Sequence, residues 1–124
     1  TDAVGRIVTV ASHVRSLVTS TGTTVSTTSE TSILASAGSS VYHDLTFLSI
    51  TNRSTANVVR VVLSASSGSG SSGYPFTIAE RGGLIVNFNP PLYQQTANSA
   101  WCITVVSGAS TVDVNVQAVK NVPS

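Results

Sequence analysis

The chain has 124 residues and a mass of 12.7 kDa, which is the size of one domain with one hydrophobic core. Only 9% of the residues are charged, against about 25% in an ordinary soluble domain, whereas 37 are Ser or Thr and 19 are Val. Because long helix-forming residues are scarce and strand-forming residues are abundant, this composition argues against a helical bundle.

The charge pattern argues against nucleic acid and membranes as partners. The net charge is +1, and the six basic residues are scattered along the chain. Binding to a phosphate backbone or to anionic lipid depends on clustered Lys and Arg, and no apolar run approaches the roughly 18 residues that span a bilayer. Low charge also gives a free monomer little protection against association, so we expect a protein that works in an assembly.

The first thirty residues are predicted to form an extended arm, with one helical turn around residues 11–18. Five apolar residues here have helical spacing: Ile7, Val10, Val14, Leu17 and Val18. The segment is nevertheless rich in β-branched residues, and residues 19–32 are almost all Ser and Thr, too polar to build a core. We therefore expect residues 1–30 to bury these five side chains on a neighbouring chain, with a disordered tail as the alternative.

Residues 31–124 are predicted to form a β-sandwich domain. A weak strand lies around residues 32–37, and two stretches, 45–50 and 58–63, are apolar on both faces. Such stretches are typical of central strands or of strands that meet a neighbouring subunit. Runs with strict alternation of apolar and polar residues lie at 74–78, 84–88, 101–105 and 111–118.

Turn signals separate these runs at short intervals. Residues 64–73 have the composition of an exposed, flexible loop, and Asn89-Pro90-Pro91 is predicted to end a strand because proline has no N–H for the ladder. About seven strands at this spacing predict an all-β fold: an antiparallel β-sandwich or jelly roll of about seven to eight strands with an extended N-terminal arm.

Residues capable of chemistry form no recognisable motif. His43 and Asp44 are neighbours on a predicted strand, where they point to opposite faces, so a catalytic triad is not expected. Cys102 is the single cysteine, and the His, Cys and acidic residues lack the spacing of a metal site. We predict a non-enzymatic protein without catalytic residues, cofactor or resident metal, leaving open a metal on the symmetry axis of an oligomer.

The aromatic residues suggest one candidate for surface recognition. Tyr74, Tyr93 and Trp101 are the side chains that a sugar-stacking platform would use. Trp101 falls in phase with Ile103 and Val105, so we predict that it belongs to the core. Tyr93 follows two prolines and is the best exposed candidate.

Several stretches resemble the small β-sandwich structural proteins of tailed bacteriophages. They are residues 2–10, residues 45–54 with the Val-rich strand and Gly/Ser loop that follow, residues 90–101, and the closing hairpin up to Lys120. The resemblance covers most of the chain and does not specify which virion protein this is. It implies a capsid decoration (cement) protein that binds and stabilises the head.

The same resemblance leaves other roles open: a neck, head-fibre or tail accessory protein, or a fibre-tip domain that binds bacterial surface carbohydrate. It implies the major capsid protein or other virion proteins as partners, and a homo-oligomer, with a homotrimer favoured. The implied location is the virion, at the capsid surface or the head–tail neck, after assembly in the cytoplasm of the host bacterium.

Overall fold

A computed structural model describes residues 17–66, 68, 73–108 and 111–121, and this part of the chain is all-β. It contains no helix of the length and apolarity that crossing a bilayer requires. Its strands are β1 (Val18–Val25), β2 (Thr31–Leu34), β3 (Tyr42–Asn52), β4 (Val59–Ser64), β5 (Tyr74–Ile78), β6 (Gly83–Leu92), β7 (Trp101–Ser107) and β8 (Val112–Asn121).

The strands form two four-stranded antiparallel sheets in jelly-roll order. Sheet A has the order β1-β8-β3-β6, and sheet B has the order β2-β7-β4-β5. The pairing is nested, since β4 pairs with β5, β3 with β6, β2 with β7, and β1 with β8. A long two-stranded ribbon wound around itself gives this order. The predicted sandwich is confirmed, and its seven predicted strands are β2 to β8.

The core lies between the two sheets and is built by alternation. In β8 every second residue, from Val112 to Ala118, is buried, while the residues between them face outward. Trp101 is completely buried in β7, as its phase predicted. Because each fully buried Val or Leu contributes about 1.5–3 kcal/mol, a core of this kind stabilises a small domain without a disulfide.

A β-bulge explains why β3 is apolar on both faces in the sequence. Both ladders of β3 shift register between Leu45 and Phe47. The extra residue, Thr46, reverses the alternation, so Leu45 before it and Leu48 and Ile50 after it are all buried in the core. β3 is a central strand, as is β4, the second run of this kind.

The structure differs from the predicted domain boundary at residue 30, because β1 belongs to the sandwich. It pairs with β8 from Val18 opposite Val119 to Val25 opposite Val112. The Ser/Thr tract is too polar to build a core by itself, but an edge strand contributes little to one, and in β1 only Val25 is fully buried. Residues 1–16, including most of the helical turn expected around residues 11–18, lie outside the described residues.

β6 also continues past the point where the sequence predicted its end. The strand runs through Pro90 and Pro91 to Leu92, and its pairing with β3 jumps from Asn87 to Leu92. β6 is the edge of sheet A, and an edge strand tolerates prolines because only one of its sides joins the ladder.

Candidate functional site

An open cleft lies where β1 and β2, the edge strands of the two sheets, face each other. Its volume is about 560 Å³, and hydroxyl groups form much of its wall. β1 contributes its inward-facing threonines, and β2 contributes Ser32 with Ile33 and Leu34. His43 of β3 and Lys120 of β8 also line the cleft. We call this feature the β1–β2 cleft.

The two ionisable side chains of the cleft are cross-strand partners. His43 lies opposite Lys120 in the ladder between β3 and β8, which places them on the same face of sheet A. His43 is 2% exposed, and neither ring nitrogen makes a hydrogen bond of ordinary length and angle among the described residues, although the Ala35 backbone makes a weaker contact with the ring. Burial and the charge of Lys120 lower the pKa of His43, while the Ala35 backbone and the Asp44 carboxylate partly oppose the shift. The imidazole is therefore neutral near pH 7.

The backbone of His43, in contrast, is fixed on both sides. Its N–H donates to Oε1 of Gln94 at 2.8 Å, and its carbonyl accepts from Nε1 of Trp101 at 2.7 Å. Gln94 is buried, and its Nε2 donates to the carbonyls of Ala65 at 2.9 Å and Ser99 at 2.8 Å. The Gln94 side chain thus connects β3 to the β4–β5 loop through Ala65 and to the β6–β7 loop through Ser99.

The Asp44 carboxylate belongs to the same cluster. Oδ1 accepts from the backbone N–H of Gln94 at 2.9 Å, and Oδ2 accepts from Nδ2 of Asn121. Because both oxygens are engaged there, the carboxylate does not orient the His43 ring as it would in a catalytic triad. We call Asp44, Gln94, Trp101, Asn121 and the His43 backbone the Gln94 cluster.

The reactive side chains of the described residues also include the buried thiol of Cys102. Burial, together with the nearby Glu30 carboxylate, raises the pKa of the Cys102 thiol to about 11, so it is protonated at neutral pH. No three His, Cys, Asp or Glu side chains come together as a metal-binding group in the part of the chain that the structure describes. The β1–β2 cleft presents hydroxyl groups and the Lys120 side chain for binding, whereas the His43 ring is buried in its wall.

A second, shallower groove crosses the outer face of sheet A. It has a volume of about 380 Å³, and its lining includes Gly22, Phe47, Asn115 and Gln117. A Cβ atom on Gly22 would lie 2.7 Å from Oδ1 of Asn115, so the amide occupies the space that the glycine leaves. The groove combines side-chain amides with one half-exposed aromatic ring.

The residues predicted to bind neighbours lie in different parts of the fold. Leu17 is 43% exposed just before β1, and Val18 is half-buried at its first position. The other three predicted interface residues, Ile7, Val10 and Val14, lie outside the described residues. Tyr93 is 62% exposed and follows β6, at the edge of sheet A opposite β1.

Sequence reasoning missed two exposed apolar side chains. Ile85 of β6 is 70% exposed and Val58, just before β4, is 49% exposed. Ile85 lies between Leu84 and Val86. These two residues alternate with Phe88 and define the inner face of the strand, so Ile85 was not considered for the outer face. The sequence did contain a signal, because Ile85 is an apolar residue at a strand position whose side chain points away from the core.

Comparison with known proteins gives no assignment: no protein-family model matches this chain, and no curated protein matches it at a significant level.

Proposed function

We propose that this protein is a non-enzymatic structural protein of a tailed-bacteriophage virion and that it decorates the capsid, binding the assembled head and stabilising it. The observation that carries the proposal is the jelly roll, an architecture that viral capsid proteins use widely. The resemblance of the sequence to small phage β-sandwich proteins supports the same role.

The state of the reactive side chains supports a role without catalysis. The Asp44 carboxylate is bonded within the Gln94 cluster, the Cys102 thiol is buried and protonated, and the His43 ring is buried. Each of these groups is thereby unavailable as a nucleophile or a proton acceptor for a substrate at neutral pH.

The character of the surface fits binding in many copies. The outer face of sheet A carries Ser, Thr, Asn and Gln side chains, and its Asp113 forms an ion pair with Arg53, the Nε–Oδ2 distance being 3.6 Å. Exposed apolar side chains occur at Leu17, Val58 and Ile85. Surface with this little charge can be buried against capsid subunits at a small desolvation cost.

In this proposal the protein clamps adjoining capsid subunits by burying surface on more than one of them. The expected partner is the major capsid protein, and the assembly on the particle is a homo-oligomer, for which the resemblance favours a trimer. The segment before β1, with Ile7, Val10 and Val14, would reach a neighbouring chain because it precedes an edge strand. Leu17 and Val18 would extend that contact.

The decisive experiment compares the full chain with a variant that lacks residues 1–16. We expect purified virions of the phage that encodes this gene to contain the protein, and heads stripped of it to rebind the full chain. The truncated variant keeps β1 and should therefore fold normally but bind heads at least tenfold more weakly. Absence from virions, or equal binding of the two chains, would contradict the proposal.

The position on the particle separates decoration from the neck, head-fibre and tail alternatives. Gold-labelled antibody against the protein should mark the whole head surface if it is a decoration protein. Label confined to the head–tail junction or to the tail would instead assign it to the neck, to a head fibre or to a tail accessory structure.

A carbohydrate-binding fibre-tip domain is the second candidate, because Tyr93 is exposed and jelly rolls also occur in lectins. An aromatic ring stacks on the apolar face of a sugar, and this contact does not need the phenol hydroxyl. A glycan array that binds the protein should then lose the signal with Tyr93→Ala and keep it with Tyr93→Phe. An array without signal would reject this candidate.

A further inference from the structure

The four edge strands of the sandwich differ in how well they are protected against pairing with another chain. An edge strand presents unpaired N–H and C=O groups, and proteins obstruct such edges with prolines, bulges, charges or short strands. β6 contains Pro90 and Pro91, and β5 contains Pro75. β2 is four residues long and has a register shift. Three of the four edges are therefore obstructed.

β1 has none of these features. It is eight residues long, contains no proline and no charged residue, and pairs with β8 at every position from Val18 to Val25 without a bulge. No other described strand pairs with it. Its second edge is consequently a regular template on which another strand can add.

We propose that β1 pairs antiparallel with β1 of a second copy of this chain across a two-fold axis. The two A sheets then join into one continuous eight-stranded sheet. We place the axis at Thr21, which lies opposite the partner's Thr21. In this register Thr19 lies opposite the partner's Thr23, and all of these side chains are on the inner face.

The chemistry of β1 favours a copy of itself as the occupant. The strand has no charge that would repel an identical strand, and threonines directly opposite each other form favourable cross-strand pairs. With a net charge of +1, whole copies also repel each other little. A two-fold contact needs only one self-complementary surface, and a regular uncharged strand is such a surface.

The inner face of β1 supports the same conclusion. Thr21 and Thr23 lie opposite Val116 and Val114 of β8, so β8 carries valines at positions where β1 carries threonines. In one chain these threonines line the open β1–β2 cleft. In the paired sheet they meet threonines of the second copy, and the two clefts lie side by side across the axis.

This association is a property of the isolated protein, so its test needs no capsid and is independent of the virion role. A two-fold contact closes with two copies, whereas the resemblance favours three. The mass of the assembly therefore distinguishes the two arrangements.

The first test is sedimentation of the full chain over a wide concentration range. We expect a reversible dimer, and we expect Thr21→Lys to raise its dissociation constant at least tenfold by placing two ammonium groups at the axis. Thr77→Lys, on the exposed side of the β5 edge, is the matched control and should leave the constant unchanged. A monomer at all concentrations, a trimer, or equal effects of the two variants would overturn the proposal.

The second test does not depend on how well a charged variant folds. In a Cys102→Ser background, Thr21→Cys places two thiols opposite each other, at a separation that a disulfide bridges. Mild oxidation should give a covalent dimer with Thr21→Cys and not with Thr77→Cys. Equal cross-linking of the two variants would overturn the pairing.

Discussion

The two ends of β3 both hold buried polar side chains, but they differ in how those side chains are bonded. At the C-terminal end, Nδ2 of Asn52 donates to the carbonyls of Asn57 at 2.8 Å, Ala79 at 3.2 Å and Ile78 at 3.3 Å. Its Oδ1 accepts from the backbone N–H of Ser54 at 3.0 Å. At the other end the Gln94 cluster bonds the backbone of His43 and leaves its ring with only a weak contact to the Ala35 backbone.

This difference shows what each end contributes to the molecule. The Asn52 end connects β3 to two turns and closes the sandwich, because the amide bonds to groups from both. The His43 end carries a buried polar ring beside the β1–β2 cleft, and the ring's contact with the Ala35 backbone is weak, so burial of the ring costs stability. One end is optimised for stability, and the other retains a polar side chain at a stability cost.

The largest loss of stability is expected for Asn52→Leu. The change removes the amide bonds and leaves the carbonyl of the buried Ile78, and those of Asn57 and Ala79 nearer the surface, with one bond fewer. We expect the free energy of unfolding to fall by about 3–5 kcal/mol, measured by urea denaturation. Asn87→Leu, on the exposed face of β6, is the control and should change it by less than about 0.5 kcal/mol. Similar losses in both variants would contradict the role of Asn52.

Gln94→Ala tests the other end. The variant loses the acceptor for the His43 N–H and the donor for two carbonyls, so we expect a loss of about 2–3 kcal/mol in the free energy of unfolding. The neighbouring Gln95→Ala is a matched control because Gln95 is exposed. A Gln94 variant as stable as the Gln95 variant would show that the Gln94 cluster does not stabilise this end.

His43→Leu should change the free energy of unfolding in the opposite direction to Asn52→Leu and Gln94→Ala. Removing a buried ring that is only weakly hydrogen-bonded should raise the free energy of unfolding at pH 7 by up to about 1 kcal/mol, provided that the leucine fits the same space. A loss of stability instead would mean that the ring contributes packing or bonds that outweigh its burial cost.

The same variant tests the lowered pKa of His43. The unfolded chain binds a proton near pH 6.5, whereas the folded chain does so only at lower pH. Stability is therefore fully present above about pH 6.5 and falls as the pH drops towards the folded-state pKa. Thermal melts between pH 7.5 and 5.5 should show this slope in the wild type and in His13→Leu, and a much smaller slope in His43→Leu. Equal slopes in all three would contradict the assignment.

The last prediction concerns the reactivity of Cys102, which follows Trp101 of the Gln94 cluster. Raising the thiol pKa from 9.0 to about 11 lowers the thiolate fraction at pH 8 about 100-fold. Reaction with a chromogenic disulfide reagent should be slower than in urea by at least this factor, because burial also limits access. Faster labelling in Gln94→Ala than in Gln95→Ala would show that the His43 end opens locally, and fast labelling of the wild type would contradict its burial.

Much of the fold could be predicted from alternation alone. The seven strands from residue 32 onward and the burial of Trp101 follow from period-two patterns, which report the inner face of a strand directly. The bulge at Thr46 could not be predicted, because a threonine in a strand looks ordinary and only the pairing shows the shift. β1 was missed because an edge strand needs few apolar residues.

The polar clusters were harder to predict for a different reason. Gln94 bonds His43, which is 51 positions away in sequence, and nothing in its neighbours distinguishes it from the exposed Gln95. The same holds for Asn52, whose partners Ile78 and Ala79 belong to a distant turn. Such contacts are set by the topology, which strand patterns do not specify.

The nested pairing has a consequence for the order in which the chain folds. The β4–β5 pair joins near neighbours, whereas the β1–β8 pair joins positions roughly 100 residues apart, and the entropic cost of closing a loop grows with its length. We expect the ribbon to form from its middle outward, with β1 docking last. Until it docks, β8 remains available to the β1 of a neighbouring molecule, so folding at high concentration favours exchange of β1 between copies.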